Sequence, residues 1–244
     1  MRSSSPMKQI IPSVLGIALT ASSPVYAGSA YVMVARGTEQ LVRNYDPKVR
    51  DVRSIIPASP GLNTDCGKVG SGALAAFYCT NSRTIYITQK TLNTIGNNFG
   101  PEGIATVVAH EYAHARLHAI QGFTRNIIWT AMVDEIQADC VSGVYLKNAT
   151  PIPLTKGMVE RSANLVENVG DYLVLERDWH GTPQMRRAAF MRGYNSGKLS
   201  YCVASDSTPN KVIKKSSETL NNQINDPQSE LNQLMRWGKN LLGN

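Results

Sequence analysis

The stretch "GIATVVAHEYAHARLHAIQG", residues 103–122, constrains this chain more than any other. Its apolar spacing predicts a helix, yet His110, Glu111 and His114 interrupt the apolar run. Burying three ionisable side chains without partners is costly. Either they share a ligand or the pattern is accidental. On an α-helix, residues four apart lie on one face, about 6 Å apart along the axis. His110 and His114 can therefore offer their imidazoles to one ion. Zn²⁺ takes such nitrogens at about 2.0–2.1 Å and, in catalytic sites, keeps three protein ligands and an open position. Glu111 is rotated about 100° from His110. It can face that open position without ligating, where a general base would take a proton from water. HExxH alone does arise by accident. Here the chain has four histidines in all, and two of them fall at ligand spacing.

A third ligand has to come from elsewhere. His118 lies about 12 Å along the axis from His110, too far to share the ion, and reads as a surface or packing residue. The H-E-x-x-H-x-x-G-x-x-H continuation is absent, because Leu117 and Ile120 stand at the glycine and histidine positions. "VDEIQADC" is the better source. If the first helix ends near Gln121 and a second begins near Arg125, the two can form an antiparallel hairpin. The histidine pair then lies roughly 14 Å before the turn and Glu135 roughly 15 Å after it, so the three come level. Asp139 falls on the same face one turn later, where it can accept the outer N–H of a ligating histidine. The plain alternative is that Asp134, Glu135 and Asp139 form a solvated acidic face.

The remaining punctuation outlines a mixed chain. "SAYVMVARGTEQLVRNYDPKVRDVRSIIPASPG" reads as a short helix followed by a strand. "ALAAFYC" and "RTIYIT" are β-prone runs joined by "TNSR", a predicted hairpin. Pro101 and Glu102 suit a helix start. Further helices are predicted over "RNIIWTAMVDEIQADCVSGVYLKN", "TKGMVERSANLVENVGDYL" and "TPQMRRAAFMRGY", the last with Thr182 as N-cap and Pro183 in its first position. From Ser205 the chain is polar and reads as a linker, ending in "LNQLMRWGKNLL" with a leucine stripe. That stripe would dock on the domain or on a copy of itself, with a membrane surface as the minor reading.

"MRSSSPMKQ", the apolar "IIPSVLGIALTA" and Val25-Tyr26-Ala27 have the layout of an export signal ending before Gly28. The apolar run is short of the roughly 20 residues that a membrane span takes. An exported chain with four cysteines, Cys66, Cys79, Cys140 and Cys202, is expected to form two disulfides. Three pairings are open; Cys66–Cys79 is the easiest local closure and would leave Cys140–Cys202. With no C-x-x-C, a thiolate metal site is disfavoured. The formal charge is +7, but no Lys/Arg stripe interleaved with aromatics accompanies it, so no nucleic-acid partner is expected.

Taken together, "AHEYAH", "DEIQADCVSGVY", the upstream "TDCGKVGSGALAAFYCTNSRTIYIT" and the downstream "HGTPQMRRAAFMRGYNSGKLSYC" resemble the bacterial "putative neutral zinc metallopeptidase" family from about residue 45 to 203. The resemblance implies a gluzincin-like peptidase with one Zn²⁺ per chain, held by His110, His114 and Glu135, with Glu111 as the catalytic glutamate. The expected fold is α+β, a mainly helical zincin-like core with a small antiparallel β-hairpin or sheet; a peptidase would take a peptide or protein as its partner, but the resemblance supplies no particular substrate. The family often has a longer, membrane-anchoring N-terminus, where this chain has the layout of a signal peptide. The expected organisation is a signal peptide over 1–27, a metallopeptidase-like domain over 28–204, and a linker with an amphipathic helix over 205–244. The chain would then be periplasmic or secreted. His180 is a candidate oxyanion donor, unless His180-Gly181-Thr182 only shapes and caps the next helix. The strand "TIYIT" is a candidate cleft edge for an extended peptide. Two rivals remain: a non-catalytic zinc-stabilised envelope protein, and a zinc amidase acting on cell-wall peptides.

Overall fold

The computed structural model describes residues 24–70, 75–121, 130–170 and 180–202. Residues 1–23 of the expected leader (1–27) and the whole expected linker and tail (205–244) lie outside the described residues. Helix α1 (Pro24–Tyr45) spans the boundary expected between Ala27 and Gly28 and leads through a 3-10 turn (Pro47–Val49) into strand β1 (Arg53–Ala58). Strands β2 (Asn63–Thr64), β3 (Gly67–Lys68), β4 (Ala76–Cys79) and β5 (Thr84–Thr88) follow. Helices α2 (Gln89–Gln121), α3 (Thr130–Asn148), α4 (Lys156–Asn168) and α5 (Pro183–Ser196) complete the core. This is the α+β class that the sequence predicts. Among the described residues no helix is long and apolar enough to cross a membrane.

The expected hairpin is present, with β4 and β5 antiparallel and Tyr78 opposite Ile85. Its sheet is mixed rather than purely antiparallel. The order is β1-β5-β4, and β1 runs parallel to β5. Pro57 interrupts β1, which tolerates it as an edge strand because an outer N–H is not needed there. Central β5 is buried along its whole length. Alternation divides the sheet. Ile85, Ile87, Ala76 and Tyr78 face the main helical core, while Phe77, Cys79 and Tyr86 pack under the β2–β3 hairpin with Val69. A Cys66–Cys79 disulfide ties that hairpin to β4.

Helix α2 starts earlier than the punctuation suggests and bends at Gly100, whose φ of 72° lies in the left-handed region. A side chain there would meet the Glu102 carboxylate at 3.0 Å. Buried Glu102 sits at the start of the second segment, where the helix dipole favours an anion, and pairs with Arg161 of α4. Helices α2 and α3 are antiparallel, since His110 meets Asp139 and His114 meets Glu135. Helix α5 runs beside α3 in the same direction. Contacts step from Arg186–Asp139 through Phe190–Gly143 and Tyr194–Lys147 to Gly197–Asn148. The crossing is close because Gly143 and Gly193 lack side chains. A Cβ on Gly193 would fall 1.8 Å from the Cys140 carbonyl oxygen. The second disulfide, Cys140–Cys202, fastens α3 to the segment after α5. The pairing is therefore the local one plus its remainder.

Candidate metal centre

Helix α2 lays His110 and His114 on one face, as four-residue spacing requires. Their Nε2 atoms are 3.0 Å apart and their rings meet edge to face. Across the helix hairpin, Glu135 of α3 places one carboxylate oxygen 3.2 Å from His110 Nε2 and the other 3.2 Å from His114 Nε2. Ligands at zinc distances on a tetrahedron stand about 3.3 Å from one another. The three donor atoms are therefore already spaced as the corners of one coordination shell. They form the only His/Cys/Asp/Glu cluster of ligand geometry among the described residues.

Electrostatics point the same way. Asp139 is fully buried, with Oδ1 3.0 Å from His110 Nδ1, a close ion-pair contact without the alignment of a good hydrogen bond. Burial opposes a charge on His110, but Glu135 and then Asp139 outweigh it and push the imidazole pKa up to about 10. Burial likewise opposes charge on Glu135, yet the two histidines hold its carboxyl well below the usual carboxylate range. The cluster is thus anionic enough to draw a proton onto His110, and a divalent cation answers the same excess. Nitrogen and oxygen donors of this kind suit zinc.

Glu111 is buried beside the cluster without belonging to it. Burial pushes its carboxyl up, against His110, His114 and a hydrogen bond from the Tyr78 main chain. Tyr78 stands on β4, so the edge strand adjoins Glu111. The expectation that "TIYIT" forms the cleft edge is therefore corrected. β5 is paired on both sides, and β4 next to the centre pairs with no second strand among the described residues.

The other sequence candidates separate cleanly. His118 is half-buried and hydrogen-bonded to the Tyr78 hydroxyl at 3.0 Å, outside the ligand cluster. Tyr112 points away into the core, where its hydroxyl accepts from Arg43 Nε at 2.7 Å. Asp134 is not among the ligand donors. His180 is exposed. The next residue, Gly181, has a φ of 95° and packs against Met132 and Ile136 of α3, and Thr182 caps α5 through Met185 N–H at 3.3 Å. The shaping and capping role is thus in place.

Arg186 is not singled out by any spacing in the sequence. Its guanidinium is buried and donates to Asp139 at 2.6 and 3.0 Å, while Nη2 also lies 2.9 Å from Glu135. Burial opposes its charge, but Asp139 and Glu135 hold it protonated beyond the ordinary arginine range. One cation thereby orients both the third ligand and the carboxylate behind His110. A cation in the first turn of α5 runs against the helix dipole. That misplacement was the available signal.

A family model described as "Putative neutral zinc metallopeptidase" matches residues 39–205. Two curated relatives, the uncharacterized protein YpfJ of Escherichia coli K12 and its counterpart in strain CFT073, are each 28% identical. Each comparison covers 57% of this chain and 56% of the relative, so the chain spans about half the length of the curated relatives it matches. No solved structure matches the chain.

Proposed function

From the premise that this chain belongs to the "putative neutral zinc metallopeptidase" family, we propose that it is an exported zinc peptidase with Glu111 as general base. The supporting observation is the spacing of His110, His114 and Glu135, with Glu111 next to them and not among them. His110, His114 and Glu135 would hold one zinc ion, with Asp139 and Arg186 orienting the first and third of these. When bound, zinc supplies Lewis acidity to a water molecule and to the substrate carbonyl. Glu111 would take the proton of the attacking water and deliver it to the leaving amine. Its burial raises its proton affinity, which suits a group that must accept a proton near neutral pH. The outer side of β4, which pairs with no strand among the described residues, can hold an extended peptide by main-chain hydrogen bonds beside the one that Tyr78 makes to Glu111. His180, exposed before α5, is the proposed oxyanion donor.

Export is supported by the composition of residues 1–27 and by two disulfides, which persist in oxidising compartments. A metal used only to hold helices is normally closed by four protein ligands; the cluster here offers three among the described residues. The amidase alternative shares the same centre and differs in substrate.

The test is metal content and hydrolysis together. The protein should bind one zinc per chain and cleave peptides. Glu111→Gln should keep the zinc and lose about 10²–10⁴-fold in kcat/KM. Turnover that survives the substitution removes Glu111 as the base.

A further inference from the structure

A second polar cluster lies on β4 and α2 beside the metal centre. Alternation along β4 turns Tyr78 toward the helical core, while its neighbours Phe77 and Cys79 face the β2–β3 hairpin. The Tyr78 main chain hydrogen-bonds Glu111, and from there its side chain follows α2 to His118. The phenolic oxygen is 3.0 Å from His118 Nδ1, with the two rings 5.8 Å apart. Arg83, in the turn between β4 and β5, brings its guanidinium to the same phenol. Arg83 is exposed and Tyr78 and His118 are half-buried, so the cluster reaches solvent.

The position suits a substrate. His118 is one helical turn beyond His114, about 6 Å along the axis. An extended peptide advances about 3.3 Å per residue. A peptide lying on the β4 edge would therefore bring a group about two residues from the scissile bond to this cluster. The chemistry suits an anion. The Arg83 guanidinium is a donor only, the phenol and imidazole share one proton between them, and an ionised carboxylate is an acceptor only. Charge-assisted hydrogen bonds of this type are roughly twice as strong as neutral ones. A primary amide in the same place forgoes the charge.

We propose that Tyr78, Arg83 and His118 form a subsite for a substrate carboxylate, either an acidic side chain about two residues from the cleaved bond or the C-terminal carboxylate of the peptide. The proposal rests on the peptidase reading and adds a substrate class to it.

The test uses the full-length, zinc-loaded protein and matched peptides. One series places Glu or Gln at each position flanking the cleaved bond. A second compares free with amidated C-termini. One of these contrasts should favour the carboxylate about tenfold in kcat/KM, the equivalent of about 1.4 kcal/mol, and which one does so identifies the source. R83E should bring the ratio to one or below, and R83K should restore most of it. R50E, an equal charge change at an exposed residue before β1, should leave the ratio as in the wild type. Peptide cleavage with a ratio near one in every contrast overturns the subsite and leaves the peptidase reading standing. A preference that R83E does not alter also overturns it. Failure to cleave any peptide removes the peptidase reading and the subsite with it.

Discussion

Arg186→Met puts the electrostatics of the centre under direct strain. The substitution keeps much of the side-chain volume and deletes the charge. Asp139, fully buried, and Glu135, whose side chain is 17% exposed, then face each other's field with only His110 and His114 to offset it. Removing one partner of a buried ion pair costs about 3–5 kcal/mol, because the other charge stays buried. For a domain of 150–250 residues, each kcal/mol moves Tm by about 2–4 °C. The metal-free variant should therefore melt about 6–20 °C below the metal-free wild type. Zinc would bring a positive charge to Glu135 from its other side, so the zinc-loaded pair should differ by less. Adding Asp139→Asn removes the stranded anion and should recover a large part of the loss, since replacing both members of a buried pair is often near neutral. The assay is thermal unfolding of all four combinations, with and without zinc. A metal-free loss below about 3 °C, or a double variant no better than the single one, would refute the idea that Arg186 acts by balancing buried charge.

The remaining predictions concern protons and cross-links. In the metal-free protein His110 titrates at about 10, above its ordinary value of 6.5. It therefore carries a proton at pH 7.5 that zinc must displace, and zinc affinity should rise with pH by up to about tenfold per unit until about pH 10. Calorimetry in buffers of different ionisation enthalpy should show about one proton released per zinc; none released refutes the assignment. The same raised value means that its contribution to metal-free stability is complete below about pH 6.5 and fades as pH climbs through about 10, which urea titrations at several pH values would detect. Replacing Cys66 and Cys79 by serine should cost about 3 kcal/mol, and replacing Cys140 and Cys202 about 4 kcal/mol, because the second closes the longer loop, 62 residues against 13. Urea midpoints measure both, and an unchanged midpoint for either pair speaks against that cross-link.

Much of the centre is written in local spacing. His110, Glu111 and His114 follow from 3.6 residues per turn alone. Glu135 and Asp139 follow from the same arithmetic run back through an antiparallel hairpin. Thr182 and Pro183 announce the start of α5 by cap chemistry, and the β4–β5 turn is legible from the two β-prone runs around it. What spacing cannot supply is which distant surfaces meet. The parallel pairing of β1 with β5 makes β5 central and leaves β4 at the edge of the sheet, and no periodicity within either strand contains that order. Arg186 reads as one of two adjacent arginines until Gly143 and Gly193 let α5 settle against α3 and carry its guanidinium into the charge of Glu135 and Asp139. Tyr78 reads as an ordinary strand residue until the sheet sets it on α2 between Glu111 and His118. Helical phase is a property of neighbours along the chain and so can be read in one dimension. The identity of an edge, or of a buried counter-charge, depends on surfaces far apart in sequence that only folding brings into contact.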